Sequence, residues 1–203
     1  MPKLLADQEW LKRSPWYLAD GTVLALAAGH RQSLDLDFFT PRGDFSLKIL
    51  LQYFSGMLWT MDIAREGTVY RTLLDTKVSF ITYPFFISQE QPSWYGSVRV
   101  IQSRDIAVMK VIAISQCGRK RDFINLYWYA THQGSLAEVL RRLPKQYPAV
   151  AHDYYHILKS LTCFADAESD PMPRLNFTAT GGQVKRYFQT AVPKITREFL
   201  GLR

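Results

Sequence analysis

Apolar and polar positions alternate through residues 34–38, where Leu34, Leu36 and Phe38 bracket Asp35 and Asp37. A period of two predicts a strand, because successive side chains on extended backbone point to opposite faces. Upstream, residues 16–19 read as a short strand and 22–28 as a helix, closed by a turn at Gly29, His30 and Arg31. Leu47, Leu50, Leu51, Phe54 and Leu58 fall at helical spacing, which predicts a helix over 45–58. Residues 68–73 and 77–83 read as two strands joined by a turn at Leu74, Asp75 and Thr76. A loop over 84–92 and a last strand over 97–101 follow. Beyond it the pattern turns helical. Ser103 is placed to cap a helix running through residue 114, and Gly118 breaks it before a second over 120–130. Ser135 starts a third that Pro144 ends, 153–161 makes a fourth, and Pro171, Met172 and Pro173 precede one or two final helices. The expected class is α+β: a mixed sheet with flanking helices over 1–102, then a helical part over 103–203. No internal repeat or low-complexity segment interrupts the pattern.

Composition narrows the field. The chain has 203 residues, 47% hydrophobic and 21% charged, enough to bury one substantial core. No apolar run reaches the roughly 20 residues that a membrane span requires. The first residues lack the apolar stretch and cleavage signal of a secretory leader, so a cytoplasmic protein is expected. Cys117 and Cys163 lie far apart with no Cys or His at zinc-like spacing, against both a structural zinc and a disulfide scaffold. The net charge is +7 and the pI near 9.4. It is unevenly spread: over 174–203, Arg174, Lys185, Arg186, Lys194, Arg197 and Arg203 face Glu198 alone. Two further clusters are Arg119, Lys120 and Arg121, and Arg141, Arg142 and Lys145. Such an excess favours polyanionic partners through steering and counterion release.

Candidate chemistry centres on Asp35 and Asp37. On one strand they would share a face, roughly 6.6 Å apart at Cα. Paired carboxylates repel unless a cation lies between them, and Mg²⁺ takes one or two carboxylates together with phosphate oxygens. Gly21 and Thr22, at the start of the helix, could offer backbone N–H groups to a phosphate. In the helix over 103–114, Ile106, Met109, Ile112 and Ala113 form the expected core-facing side with Lys110 among them. Taken by itself Lys110 reads as a surface lysine that snorkels past its apolar neighbours. Asp122 and Asn125, three apart on the next helix, share a face.

These segments together resemble the AbiEii/AbiGii nucleotidyltransferase toxin family. The resemblance rests on Tyr17 to Leu26, on Gly29, His30, Arg31, Ser33, Asp35, Leu36, Asp37, Phe38 and Phe39, and then on Asp105, Ile106, Ala107, Met109 and Lys110, followed by Asp122, Phe123, Leu126 and Tyr127. It implies a nucleotidyltransferase-like mixed sheet with flanking helices and a helical C-terminal part. It also implies a Mg²⁺-dependent enzyme that transfers a nucleoside monophosphate from a nucleoside triphosphate to an RNA acceptor, tRNA in some relatives, as the toxin of a toxin–antitoxin pair with a cognate antitoxin. Matched position by position, Gly21 and Thr22 form the phosphate-binding turn and Asp35 and Asp37 the metal-binding pair. Lys110 contacts the triphosphate and Asp122 is the acidic residue that follows. Four departures stand out. Asp20 occupies the place of the first glycine of a Gly-Gly-Thr turn, where its charge would oppose a phosphate or join the metal. Cys117 and Arg121 stand where Arg and Lys are common. Asn125 replaces a second aspartate, and Ser79 fills the strand slot where a third carboxylate is often found, with Asp75 nearby in the wrong register. They leave a second reading open, a nucleotide- or RNA-binding protein with weakened catalysis.

Overall fold

In the computed structural model, residues 3–33, 35–55, 59–65, 67–73 and 76–199 are described. Among the described residues seven strands form one mixed sheet: β1 (Tyr17–Ala19), β2 (Leu36–Thr40), β3 (Trp59–Arg65), β4 (Thr68–Leu73), β5 (Thr76–Thr82), β6 (Ser93–Tyr95) and β7 (Val98–Val100). Their order across the sheet is β3-β4-β5-β2-β1-β7-β6. β2 lies antiparallel to β1 and parallel to β5, and β1 lies parallel to β7. Hairpins β3–β4–β5 and β6–β7 complete the two flanks. The expected α+β architecture is therefore present.

Short helices α1 (Lys3–Ala6) and α2 (Glu9–Lys12) precede the sheet, α3 (Gly21–Ala28) joins β1 to β2, and α4 (Leu47–Gln52) follows β2. The rest is helical: α5 (Ser103–Cys117), α6 (Lys120–His132), α7 (Leu136–Gln146), α8 (Tyr154–Ser160), α9 (Ala165–Glu168) and α10 (Gly181–Phe199). α5 is the axis of this half, packing against α3, α6, α7 and α8. Its residues from Asp105 to Ile112 are all buried. A helix buried all round has no solvent side, so the expectation that Lys110 snorkels to the surface is overturned.

Several expected boundaries shift. The helix over 45–58 is only α4, capped by the Ser46 side chain. It then tightens into turns in which the N–H groups of Phe54 and Ser55 reach back three residues, to Leu51 and Gln52; residues 56–58 lie outside the described residues. The strand expected over 34–38 begins at Leu36 and runs to Thr40, so Asp35 stands before it. β3 went unpredicted. Its pairing with β4 shifts register between Met61 and Ile63, and such an irregularity breaks the period of two. β6 is three residues long and exposed throughout, leaving no apolar alternation to read. α7 passes through Pro144 to Gln146, since a proline in the last turn forfeits a single backbone bond. Ser135 does cap α7, in a reciprocal box with Glu138. One continuous apolar core runs from Leu18, Phe38 and Phe80 in the sheet through Ile106 and Val111 to Leu140 and Phe188 in the helices.

Candidate active site

β1 ends at Ala19, directly opposite Asp37 on β2. The chain leaves β1 through Asp20 and enters α3 at Gly21, so the start of the helix and the Asp37 carboxylate sit at the same end of one strand pair. Asp20 has φ +74° and ψ −174°, a conformation essentially reserved for glycine. The glycine usual at this place in the resembled family thus has a backbone reason. Gly21 has a steric one: a Cβ there would collide with the Arg31 guanidinium and the Asn125 amide. Thr22 is buried, its hydroxyl 2.7 Å from that of Ser33.

Asp37 is half-buried. On β5 its register partner is Ser79, whose hydroxyl donates to Asp37 Oδ1 at 2.6 Å. The slot where a third carboxylate would sit is therefore filled by a donor to the second. Burial pushes the Asp37 carboxyl up to about 6, and the negative charges of Asp20 and Asp35 add to the rise against the Ser79 bond and Lys110. Asp35, outside the strand, does not share the ladder that holds Asp37; it lies 3.6 Å from the Arg121 guanidinium, both side chains about half exposed. Asp75 falls outside the described residues.

Lys110 is 2% exposed. Its ammonium donates to Asp122 Oδ1 at 2.6 Å and to Asp20 Oδ1. Burial alone would lower the lysine, but the two carboxylates hold it above its ordinary value. Burial likewise opposes ionisation of Asp20, yet Lys110 keeps its carboxyl below the usual range. Asp20 is thus not a bare charge facing a phosphate: it is half of an ion pair with Lys110, close enough to Asp37 to raise its carboxyl. Asp122 also accepts from the Arg119 backbone N–H at 3.2 Å, tying the start of α6 to the same cluster.

Motif residues for which the sequence showed no such partners complete the framework. Asn125 is fully buried, and its Oδ1 accepts from Arg31 Nε at 2.8 Å and lies 2.9 Å from His30 Nε2. A neutral amide in place of an aspartate here serves as an acceptor for two neighbours. Arg31 is buried as well and also donates to the carbonyl of Gln32. The segment 29–32 binds the far loop: Gln32 N–H to Arg174 O, Asn176 N–H to His30 O, and the Asn176 side chain to Gly29 O. Asp105, the first residue of the motif that ends at Lys110, accepts from Ser88 and from the N–H groups of Gln89 and Glu90, and so anchors the loop before β6. The spacing of these residues carries no sign of such long-range partners.

Beside Asp35 opens a cleft of about 920 Å³ whose lining includes Arg31, Arg119, Arg121 and Arg174. Arg119 is paired with Asp170 at 2.6 Å, leaving a net positive wall. Two carboxylates with hard oxygen donors, one desolvated and repelled by its neighbours, suit a small divalent cation such as Mg²⁺. Among the described residues no group of three or more acidic, His or Cys side chains could hold a metal; Asp35 and Asp37 are the pair that the sequence offers, and the Asp20 charge acts on the Asp37 carboxyl more strongly than that of Asp35.

No family model matches the chain. A protein of Aquifex aeolicus known as uncharacterized protein aq_aa25 is 34% identical over 162 residues, 76% of each chain. This chain belongs to the same family as that protein. The crystal structure of JHP933 from Helicobacter pylori superposes with a TM-score of 0.54 at 17% identity, covering 98% of this chain and 93% of that one. MenT4, a nucleotidyltransferase toxin from Mycobacterium tuberculosis H37Rv, gives 0.51 at 14% identity, covering 99% and 91%. The fold is nucleotidyltransferase-like.

Proposed function

We propose that this protein is a Mg²⁺-dependent nucleotidyltransferase that moves a nucleoside monophosphate from a nucleoside triphosphate to an RNA acceptor, tRNA among the acceptors. The observation that supports it best is the meeting of Asp37 with the Gly21–Thr22 start of α3 at one end of the β1–β2 pair; the arginine cleft opens further along, beside Asp35 and the Ala25–Leu26 part of α3. The N-terminus of α3 carries partial positive charge toward an anion, although the Val23 and Leu24 N–H groups donate to the Asp20 carbonyl and the Gly21 N–H to the Asp20 carboxylate. Arg31, Arg121 and Arg174 supply the positive wall for phosphates. Asp35 and Asp37 would hold the metal, which when bound neutralises phosphate oxygens at the reacting centre. The protein's own work is positioning and charge complementarity rather than covalent chemistry. Lys110 reaches the site through Asp20 and Asp122, fixing the turn before Gly21; a direct contact with the triphosphate would require it to leave one of these carboxylates. By the AbiEii/AbiGii resemblance we further assign it the role of a cytoplasmic toxin restrained by a cognate antitoxin. Among the described residues no helix is long and apolar enough to cross a membrane.

A second reading has its own support. The ligand set rests on two carboxylates, Ser79 holds the third slot, and Lys110 is engaged in an ion-paired triad. A protein of this kind binds nucleotide or RNA with little turnover. Incubation with total RNA and each labelled nucleoside triphosphate in turn, with Mg²⁺ or with chelator, separates the two. Metal-dependent label in RNA that disappears in Asp37→Asn supports transfer. Saturable nucleotide binding with no incorporation from any of the four supports the binding reading.

A further inference from the structure

A second cavity lies on the other face of the sheet. Along β2, Asp37 and Phe39 point one way while Leu36, Phe38 and Thr40 point the other and are buried. Thr40 is three residues from Asp37, roughly 10 Å along the strand. Beside it opens a cavity of about 580 Å³ walled by Trp10, Trp16, Phe45 and Tyr53, with Arg13 and Arg42 exposed among its lining residues. The size falls within the usual range for small-ligand sites, about 300–1,000 Å³. Its aromatic wall is already ordered for stacking. Trp10 and Tyr53 lie nearly parallel, 8° between planes and 4.4 Å between centroids. Trp16 meets Phe45 edge-on at 5.1 Å. Tyr53 nevertheless remains 44% exposed, so this stack ends on a ring that a further flat group can cover.

We propose that this cavity binds a nucleotide unit, the base extending the Trp10–Tyr53 stack and the phosphate paired with Arg13 and Arg42. Stacking on an aromatic platform tolerates any base because every base has a π-face, and guanidinium groups form charge-assisted bonds to phosphate oxygens. The combination is what selects the ligand class. A purely apolar molecule would leave two exposed arginines unmatched, and a bare anion would leave the ring platform uncovered. Glu9, also in the lining, offers an acceptor to an exocyclic amine. Free nucleotide and one unit of single-stranded RNA share this chemistry. The site lies across the sheet from Asp37, so it stands whether or not the transferase reading holds.

Tryptophan fluorescence of the full chain provides the assay, since Trp10 and Trp16 line the cavity. Uridine monophosphate and an eight-residue oligouridylate are titrated without Mg²⁺ against wild type, Tyr53→Ala, Arg42→Ala and, as a control in the other cleft, Arg121→Ala. The expected result is saturable quenching that weakens about tenfold in Tyr53→Ala, has a shallower salt dependence in Arg42→Ala, where Arg13 still pairs with the phosphate, and for the mononucleotide persists in Arg121→Ala. Quenching by the mononucleotide identifies a free-nucleotide site, and quenching by the oligomer alone identifies an RNA subsite. Absence of saturable quenching by either ligand overturns the proposal, as does quenching that survives Tyr53→Ala and Arg42→Ala but is lost in Arg121→Ala. Tyr53 is exposed, so its removal spares the core, and Arg42→Ala gives an independent answer if the Tyr53 variant melts early.

Discussion

Asp37→Asn in metal-free buffer tests the electrostatics of the site most directly. Asn keeps the shape and an acceptor for the Ser79 hydroxyl, so the variant removes the charge and little else. In the folded protein burial pushes the Asp37 carboxyl up to about 6, against 3.8 in the ordinary case. A group whose folded value lies above its unfolded one holds a proton in the folded state that the unfolded chain has released. Stability therefore falls as pH rises between the two values. Below about pH 4 the wild type and the variant should unfold with equal free energy. Above pH 6 the ionised Asp37 disfavours the wild-type fold by up to about 3 kcal/mol, the rise converted at 1.36 kcal/mol per pH unit. For a chain of this length that is a Tm gap of roughly 6–12 °C in favour of the variant. Added Mg²⁺ should narrow the gap by stabilising only the wild type, as mass action requires of a ligand bound to the folded state. Thermal melts monitored by circular dichroism at half-unit steps from pH 4 to 8, with and without chelator, measure all of this. A gap that does not change with pH, or a variant less stable than wild type at pH 8 without metal, would refute the reasoning and mark Asp37 as a structural acceptor.

Three other outcomes follow from the same cluster. Lys110→Met should destabilise the fold by about 3–5 kcal/mol, because it leaves Asp20 and Asp122 as neighbouring carboxylates with no cation; urea unfolding measures it, and a loss under 1 kcal/mol would return Lys110 to a peripheral role. Asp20→Gly and Asp20→Ala both delete the charge but only glycine relaxes φ +74°, so the glycine variant should be the more stable of the two by about 1–3 kcal/mol; equal melts would show that the turn is unstrained. Arg121→Ala should leave stability within about 0.5 kcal/mol, its pair with Asp35 being exposed and 3.6 Å long, while weakening oligonucleotide binding in a salt-dependent manner by filter assay.

The parts of the fold that were legible in the sequence are those whose local signals and tertiary demands agree. Helix α3 ends where Gly29, at φ +63°, can take a left-handed turn, and α7 begins where Ser135 and Glu138 form a reciprocal cap. β2 and β4 alternate cleanly because each buries one face. What escaped was set elsewhere in the chain. The register shift against β4 hides β3, and β6 shows no apolar side because it is exposed throughout. The apolar spacing continues past the end of α4 to Phe54, since its aromatic packing on Trp10 and Phe80 satisfies that position outside the helix.

The site divides in the same way. Asp37 and Ser79 were legible as a pair of slots because strand register is a local rule carried across one ladder. The roles of Lys110 and Asp20 were not, because each depends on where the other lies, 90 residues away. Buried on α5, which packs against α3, α6, α7 and α8, Lys110 must meet an anion inside. Asp20 and Asp122 provide it, and only a residue with a carboxylate at position 20 can do so, whatever strain φ +74° imposes. In a chain with glycine there, Asp122 would be the partner that remains among those seen here. The departure at position 20 thus changes the charge around the lysine as well as the shape of the turn. Breaking the Lys110–Asp20 pair is then the step that any direct use of Lys110 on a phosphate must include, and an incoming triphosphate would have to displace Asp20 to do it.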